Sequence, residues 1–319
     1  MSRATGLPAQ RAPHRSSAER AGVISSYATH LIAKATFPPK GASLDCAVSG
    51  GPDSLALLVL AVTAGCQVTA YHVDHGLRPG SSDEAAVVAS AASAVGAKFV
   101  SLRVDLPPGP NLEARARKAR ATVLPAGVAT GHTADDQAET ILLNLLRGSG
   151  LDGLAGMRPG PQHPILAIRR FETEELVDSL HLEVVRDPTN DDPRFRRNRV
   201  RHELLPLATE IAGRDVVALL CRQAALLADD AGLLAELAST VDPTSVPQLA
   251  AAPIAVGRRA LRGWLRTMTP DGQPPDAAAL ERIFDVVSGE HVAAEVVGGT
   301  RIRRSKGRLF ADPPLPRPL

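Results

Sequence analysis

Ser49-Gly50-Gly51-Pro52-Asp53-Ser54 decides how this chain is read. The apolar run Leu44-Asp45-Cys46-Ala47-Val48 before it has the make-up of a buried strand. Leu55-Ala56-Leu57-Leu58-Val59-Leu60-Ala61-Val62 after it continues as a helix. A strand, a Ser/Gly turn and a helix start gather free backbone N–H groups and the positive end of a helix dipole around one point, which favours an anion. The loop lacks the lysine and the spacing of a Walker A sequence, so it is not an ordinary P-loop. Taken alone, the hexapeptide has a second, less favoured reading as a tight turn with no ligand.

Outward from this loop, strand-like and helix-like segments alternate from about Gly41 to Arg147. Gln67–Val73 and Lys98–Val104 read as strands, and Gly127–Thr130 as a short one. Ser82–Val95, Asn111–Leu124 and Thr133–Leu146 read as helices, the first with Asp83 and Glu84 where the dipole favours acids, the second opened by a capping asparagine. Such alternation predicts an α/β fold with a doubly wound parallel sheet, whose ligands bind beyond the carboxyl ends of the strands. Around residue 215 the character changes. Ala218–Leu237, Val256–Thr267 and Ala277–Val287 are helical, separated by Pro243, Pro247 and Pro253, and a short basic hairpin-like end follows at Val296–Arg303. The expected division is a basic tail over 1–20, a catalytic domain over 21–215, a smaller, mainly helical domain over 216–312 and a flexible tail over 313–319.

The candidate chemical residues fall at the predicted strand ends. In Gly131-His132-Thr133-Ala134-Asp135-Asp136-Gln137-Ala138-Glu139-Thr140, the spacing puts His132, Asp136 and Glu139 on one helical face. Thr133 with Asp136 is also a capping pattern, and acids are common in a first turn, so Asp135 reads equally well as a cap-region acid. Asp74, His75 and Arg78 leave another strand, where a turn stabilised by Asp74 is the alternative reading. Glu113 and Arg117 form an i,i+4 pair. A last segment runs from Arg186-Asp187-Pro188-Thr189-Asn190 to Arg197-Asn198-Arg199-Val200-Arg201.

Composition narrows the class. The 319 residues carry 44% hydrophobic and 22% charged side chains, as in a soluble globular chain with room for about two domains. Aromatics are 3%, too few for a base-stacking sheet. Net charge is only +2, but basic residues cluster at 194–201, at Arg258, Arg259, Arg262 and Arg266, and at Arg301–Arg308, where local patches suit phosphates. Paired, solvated helix faces are the alternative reading of each patch. Cys46, Cys66 and Cys221 form no metal or disulfide spacing, consistent with a reducing, cytoplasmic setting. No apolar run is long enough for a membrane span.

Together, Ser49–Ser54, Val73–Arg78, Gly131–Thr140, Arg147–Gly150, Asp187–Asn190 and Arg197–Arg201 resemble the tRNA(Ile)-lysidine synthetases in order and spacing, over roughly residues 41–215. The resemblance implies an adenine nucleotide alpha-hydrolase-like catalytic domain with a pyrophosphate loop. It implies ligation of L-lysine to carbon-2 of the wobble cytidine in the CAU anticodon of tRNA(Ile), through an adenylated cytidine, so that the codon read changes from AUG to AUA. ATP and Mg2+ are the implied cofactors. Ser49, Gly50, Gly51, Pro52, Asp53 and Ser54 would hold the pyrophosphate, with Asp53 near magnesium and Asp74 and His75 by the nucleotide. His132 and Arg117 would steady the adenylate. Asp136 and Glu139 would take the lysine amine, and Arg78, Arg197, Asn198 and Arg201 the lysine carboxylate or the RNA. The family often has tyrosine where Ala121 stands, and histidine where Thr133 stands. A sulfur transferase of related type would need reactive cysteines that are missing, and a binding module without catalysis would not need the His132–Asp136–Glu139 face. No membrane partner is expected, and the sequence leaves monomer and homodimer both open.

Overall fold

Four parallel strands in the order β3-β2-β1-β4 build the sheet that carries the site. They are β1 (Ser43–Ala47), β2 (Gln67–Asp74), β3 (Lys98–Arg103) and β4 (Ala129–Thr130). The computed structural model describes residues 26–74, 81–104, 112–186, 191–268, 275–296 and 299–312. Among these, α1 covers 26–32, α2 Pro52–Thr63, α3 Ser81–Val95, α4 Leu112–Val123, α5 Ala134–Leu146, α6 Leu151–Leu154 and α7 Arg170–Ser179. The expected tails, His75, Arg78, Asn111 and Asp187–Asn190 lie outside the described residues, as do the side chains of Glu113 and Arg117.

Register explains where the site must be. Ser43 to Ala47 of β1 pair with Gln67 to Tyr71 of β2, while Cys46 and Ala47 pair on the other side with Ala129 and Thr130 of β4. The chain therefore steps outward from β1 through β2 to β3, then returns to the other side of β1. The crevice between the ends of β1 and β4 is the switch point of such a sheet, where ligands bind. The loop after β1 and the turn after β4 both open into it.

Core residues fix this frame. Every residue from Ser54 to Ala61 of α2 is buried, so this helix is apolar all round, as required of one covered on every side. Leu55, Leu57, Leu58 and Leu60 are fully buried with Leu31, Cys46, Ala70 and Ala129, and Leu176 and Val177 of α7 join the same core. Each such leucine contributes about 1.5–3 kcal/mol by leaving water. Cys46 is a small buried core residue, as its place in β1 suggested.

By its internal contacts the chain divides into two compact units, 1–224 and 225–319. In the first, α8 (Arg196–Arg199) runs into a π-helical turn, Val200–Leu204, and then α9 (Leu205–Ala212). The long α10 (Val216–Ser239) begins there, and Val217 packs with Ala134, Ala138, Val200 and Leu205. In the second unit α11 (Val246–Ala251), α12 (Ile254–Arg266) and α13 (Ala277–Ser288) surround a core of Leu249, Leu261, Leu265, Leu280 and Ile283. Its end is more than the hairpin expected at Val296–Arg303. It is an antiparallel sheet of β5 (Ala293–Glu295), β6 (Arg301–Ser305) and β7 (Arg308–Asp312), with Ile302 and Leu309 buried.

Candidate active site

The loop after β1 is built from main chain. Gly50 has φ +90, and a Cβ there would lie 2.5 Å from Val185 Cγ2, so both conformation and space call for glycine. Val185 N–H donates to the Gly50 carbonyl at 2.9 Å, tying the segment after α7 across the loop. Ser54 Oγ accepts the Ser49 N–H at 3.2 Å and donates to the Gly51 carbonyl at 2.9 Å, closing the turn on itself. The N–H groups of Gly50, Gly51 and Asp53 have no protein acceptor among the described residues. They stand at the start of α2, where the dipole is positive.

The turn after β4 touches this helix start. A Cβ on Gly131 would meet the Asp53 carbonyl oxygen at 2.7 Å and the Ser54 nitrogen at 2.9 Å, so only glycine permits the approach. Three residues on, α5 begins, and α7 begins nearby with Arg170 N–H donating 2.8 Å to Asp135 Oδ2. Arg170 itself reaches Asp53 of α2. Three helix N-termini thus converge on one place, each favouring negative charge.

Three carboxylates occupy that place, matched by three guanidiniums. Arg170 donates from Nε to Asp53 Oδ2 at 3.3 Å, from Nη1 to Glu139 Oε1 at 3.1 Å and from Nη2 to Asp136 Oδ1 at 2.9 Å. Arg197 reaches Glu139 Oε2 at 2.7 Å and Asp136 Oδ1 at 2.9 Å. Arg201 embraces Glu139 at 2.7 and 3.2 Å. Asp136 Oδ2 also accepts the Thr133 N–H and hydroxyl, both at 2.9 Å. Glu139 is 0% exposed and Asp136 8%, so these pairs work where water screens little. Arg197 and Arg201, four residues apart across the junction of α8 and the π-helical turn, share a face and both arrive at Glu139.

Protonation follows from these surroundings. Burial pushes the Asp53 carboxyl up to about 6, against the opposing pull of Arg170 and the Thr173 hydroxyl bond. Burial acts upward on Asp136 too, but Arg170, Arg197 and the Thr133 N–H outweigh it and hold it below the usual carboxylate range. Asp135 is likewise held low: burial raises it, while the Arg169 fork and the Arg170 N–H lower it more. Burial brings His132 down to about 4, so it is neutral at ordinary pH.

His132 has a partner that the sequence did not suggest. Its Nδ1 lies 2.6 Å from Thr130 Oγ1, and His163 Nδ1 lies 2.9 Å from the same oxygen. The two rings meet edge to face with centroids 5.1 Å apart. One hydroxyl proton cannot serve both nitrogens, so at least one ring presents Nδ1–H to Thr130, whose hydroxyl also lies 3.1 Å from the Gln162 carbonyl as a second outlet for its proton.

Of the residues singled out in the sequence, Ser49–Ser54, Asp53, Asp136, Glu139, Arg197 and Arg201 are brought together. Asn198 is buried, and its Nδ2 donates to the Asp192 carbonyl at 2.9 Å, bracing the segment that carries the arginines. Asp74 ends β2, beyond β1. Asp135, read as a cap-region acid, pairs with Arg169 at 3.1 Å. Arg170, Thr173 and His163 were missed. The signal for α7 was present in Leu176, Val177 and Leu180, apolar at helical spacing, with Glu172 three residues after Arg169.

The fold and loop define a PP-loop domain, and a family model of that description matches residues 25–208. A second, described as a TilS substrate binding domain, matches residues 245–310. Among similar proteins, the tRNA(Ile)-lysidine synthase of Rhodococcus erythropolis is 44% identical over 235 residues, covering 69% of this chain and 72% of its own length. The one from Nocardia farcinica is 40% identical over 245 residues, covering 72% and 77%. That of Salinispora tropica is 40% identical over 304 residues, covering 84% and 90%. The chain belongs to the tRNA(Ile)-lysidine synthase family, as the resemblance of its motifs implied.

Proposed function

We propose that this chain ligates free L-lysine to carbon-2 of the wobble cytidine in the CAU anticodon of tRNA(Ile), at the expense of ATP. The observation that carries the reading is the meeting of a main-chain anion loop with a buried acid cluster at one switch point, within the family-matched region. In the first half, the cytidine carbonyl oxygen attacks the α-phosphorus and pyrophosphate leaves. The uncovered N–H groups of Gly50, Gly51 and Asp53 receive the departing charge, which develops where they point. In the second half, the lysine side-chain amine attacks carbon-2, the C–O bond breaks and AMP departs. The amine must shed a proton to attack, and a carboxylate of the cluster accepts it. His132, being neutral, offers the adenylate a hydrogen bond rather than a full charge.

Magnesium fits what is present. It is held by one or two carboxylates plus substrate phosphates rather than by an all-protein cage. Asp53 alone at the loop satisfies this, since each of its oxygens keeps a lone pair beyond the bonds to Arg170 and Thr173. When bound, the ion would neutralise charge on the phosphates.

Lysine recognition by Asp136 and Glu139 has a consequence. The cluster is balanced, so an entering ammonium displaces a guanidinium. Arg197 and Arg201, with side chains 29% and 24% exposed against 19% for Arg170, have the room to withdraw. The test is direct: purified protein with ATP, labelled lysine and unmodified tRNA(Ile) should release pyrophosphate and transfer label to RNA. ATP binding without transfer would leave only a nucleotide-binding module.

A further inference from the structure

Asp53 is not held by its own loop. Its Oδ1 faces the Thr173 hydroxyl and its Oδ2 the Arg170 Nε, both from the first turn of α7. The Thr173 proton has two acceptors, Asp53 and the Arg170 carbonyl at 2.7 Å, and an ionised carboxylate is the stronger one. That turn of α7 is itself fixed. Arg170 N–H donates to Asp135, Arg169 N–H donates 3.0 Å to Glu172 Oε2, and Lys34 Nζ lies 2.6 Å from Glu172 Oε1. Thr173 is 0% exposed, and Leu176 and Val177 root the helix in the core. Arg170 spreads its remaining donors over Asp136 and Glu139. Five N–H groups in a rigid fork can address three acids at once, which a lysine cannot do.

We infer that Thr173 and Arg170 are positioning residues for the pyrophosphate-releasing half of the reaction, fixing the Asp53 carboxylate against the loop and in register with Asp136 and Glu139. The kinetic side of this inference rests on the proposed function, while the geometric side does not. The site's electrostatics would otherwise let Asp53 turn to water, because its own loop offers its carboxylate no side-chain donor among the described residues.

Thr173→Val is nearly isosteric and removes only the hydroxyl, and Thr173→Ser restores it. A displacement of about 1 Å at a reacting centre can cost about 100-fold. Thr173→Val is therefore expected to lower kcat for tRNA-dependent pyrophosphate release by about 10- to 100-fold, with the KM for lysine and the melting temperature unchanged. Thr173→Ser should recover most of the rate, and Arg170→Lys should lower kcat without recovery. Wild-type kcat in Thr173→Val, or equal loss in Thr173→Ser, would overturn the inference. So would a parallel rise in lysine KM and fall in melting temperature, which marks a merely structural role. Crystals of wild type and Thr173→Val give a readout free of the reaction: the Asp53 carboxylate should turn from its place, and finding it unmoved sinks the idea. If wild type transfers no lysine, the proposed function fails while the crystals still decide this inference.

Discussion

Arginine does opposite things in the two units of this molecule. In the first, Arg170, Arg197 and Arg201 lie against Asp136 and Glu139, acids that water hardly reaches. In the second, Arg303 meets Asp312 at 2.8 Å with both side chains more than two-fifths exposed, and stacks 4.9 Å over Phe310. Arg308 meets Asp242 at 2.8 Å, and Arg304 Nη1 covers the Val287 carbonyl near the end of α13 at 2.8 Å. The residue type is the same and the difference is solvent. An exposed pair contributes about 0–1 kcal/mol, so it opens readily for another anion. Removing one partner of a buried pair costs about 3–5 kcal/mol, because the other charge is stranded. Buried arginines here therefore set geometry, while the exposed pairs of Arg303 and Arg308 on β6 and β7 cost little to open.

That contrast is open to attack in several ways, in descending order of effect. Asp53→Ala should lower pyrophosphate release by about 100- to 1,000-fold with the fold retained, the scale of losing a charged group at a reacting centre. Unchanged turnover, measured by phosphate-coupled assay alongside circular dichroism, would remove the loop from the site. Arg201→Met should destabilise the first unit by about 1–3 kcal/mol in urea melts, less than a full buried-pair loss because Arg170 and Arg197 remain with Glu139. A neutral result would show the cluster to be solvated.

Gly131→Ala should cost a similar or smaller amount, about 1–3 kcal/mol, since its Cβ meets backbone that cannot yield cheaply. Chemical melts showing no loss would mean that the turn after β4 does not rest on α2. The pH dependence offers a finer test. His132, held at about 4, stays neutral in the native state while the unfolded chain protonates near 6.5, so it removes stability as pH falls through that window. Asp53, raised to about 6, takes up its proton in the native state first and adds stability over nearly the same fall. The two oppose each other. In His132→Gln the Asp53 trend should stand alone, giving a gain of about 1–3 kcal/mol relative to wild type at about pH 4.5 that vanishes by about pH 7.5. A difference between the two proteins that does not vary with pH would refute these assignments.

The smallest expected effect on stability comes from the second unit. Charge reversal at Arg303 and Arg304 should shift its stability by about 1 kcal/mol or less, yet weaken binding of tRNA in filter or anisotropy assays in a manner that salt erases. Affinity indifferent to the reversal would reduce those arginines to ordinary surface.

How much of this was legible beforehand varies by element. The strand–turn–helix around Ser49–Ser54 was readable because its signals are local: an apolar run, two glycines, a proline at the helix start. His132, Asp136 and Glu139 were found through their helical spacing, which places them on a common face. What spacing does not give is their partners. Arg170 and Thr173 stand 117 and 120 residues from Asp53, in a helix whose polar first turn resembles any solvated one. His163 faces His132 through a short turn with no periodicity at all. Asn198 sits in the centre of a basic motif, and its hydrogen bond to the Asp192 carbonyl depends on a fold that the motif alone does not give.

The order of residues along the chain settled the parallel α/β scheme, the main-chain anion loop and the acid-bearing helix, because helix and strand periods and glycine conformations are properties of neighbouring residues. Folding decided everything that depends on separation through space. The sheet order put the ends of β1 and β4 side by side, three helix starts were brought to a point, and arginines from two distant segments neutralised acids that could not otherwise be buried. The physical reason is that a charge taken from water needs a partner within a few ångströms, and which partner arrives is fixed by packing, not by position in the chain.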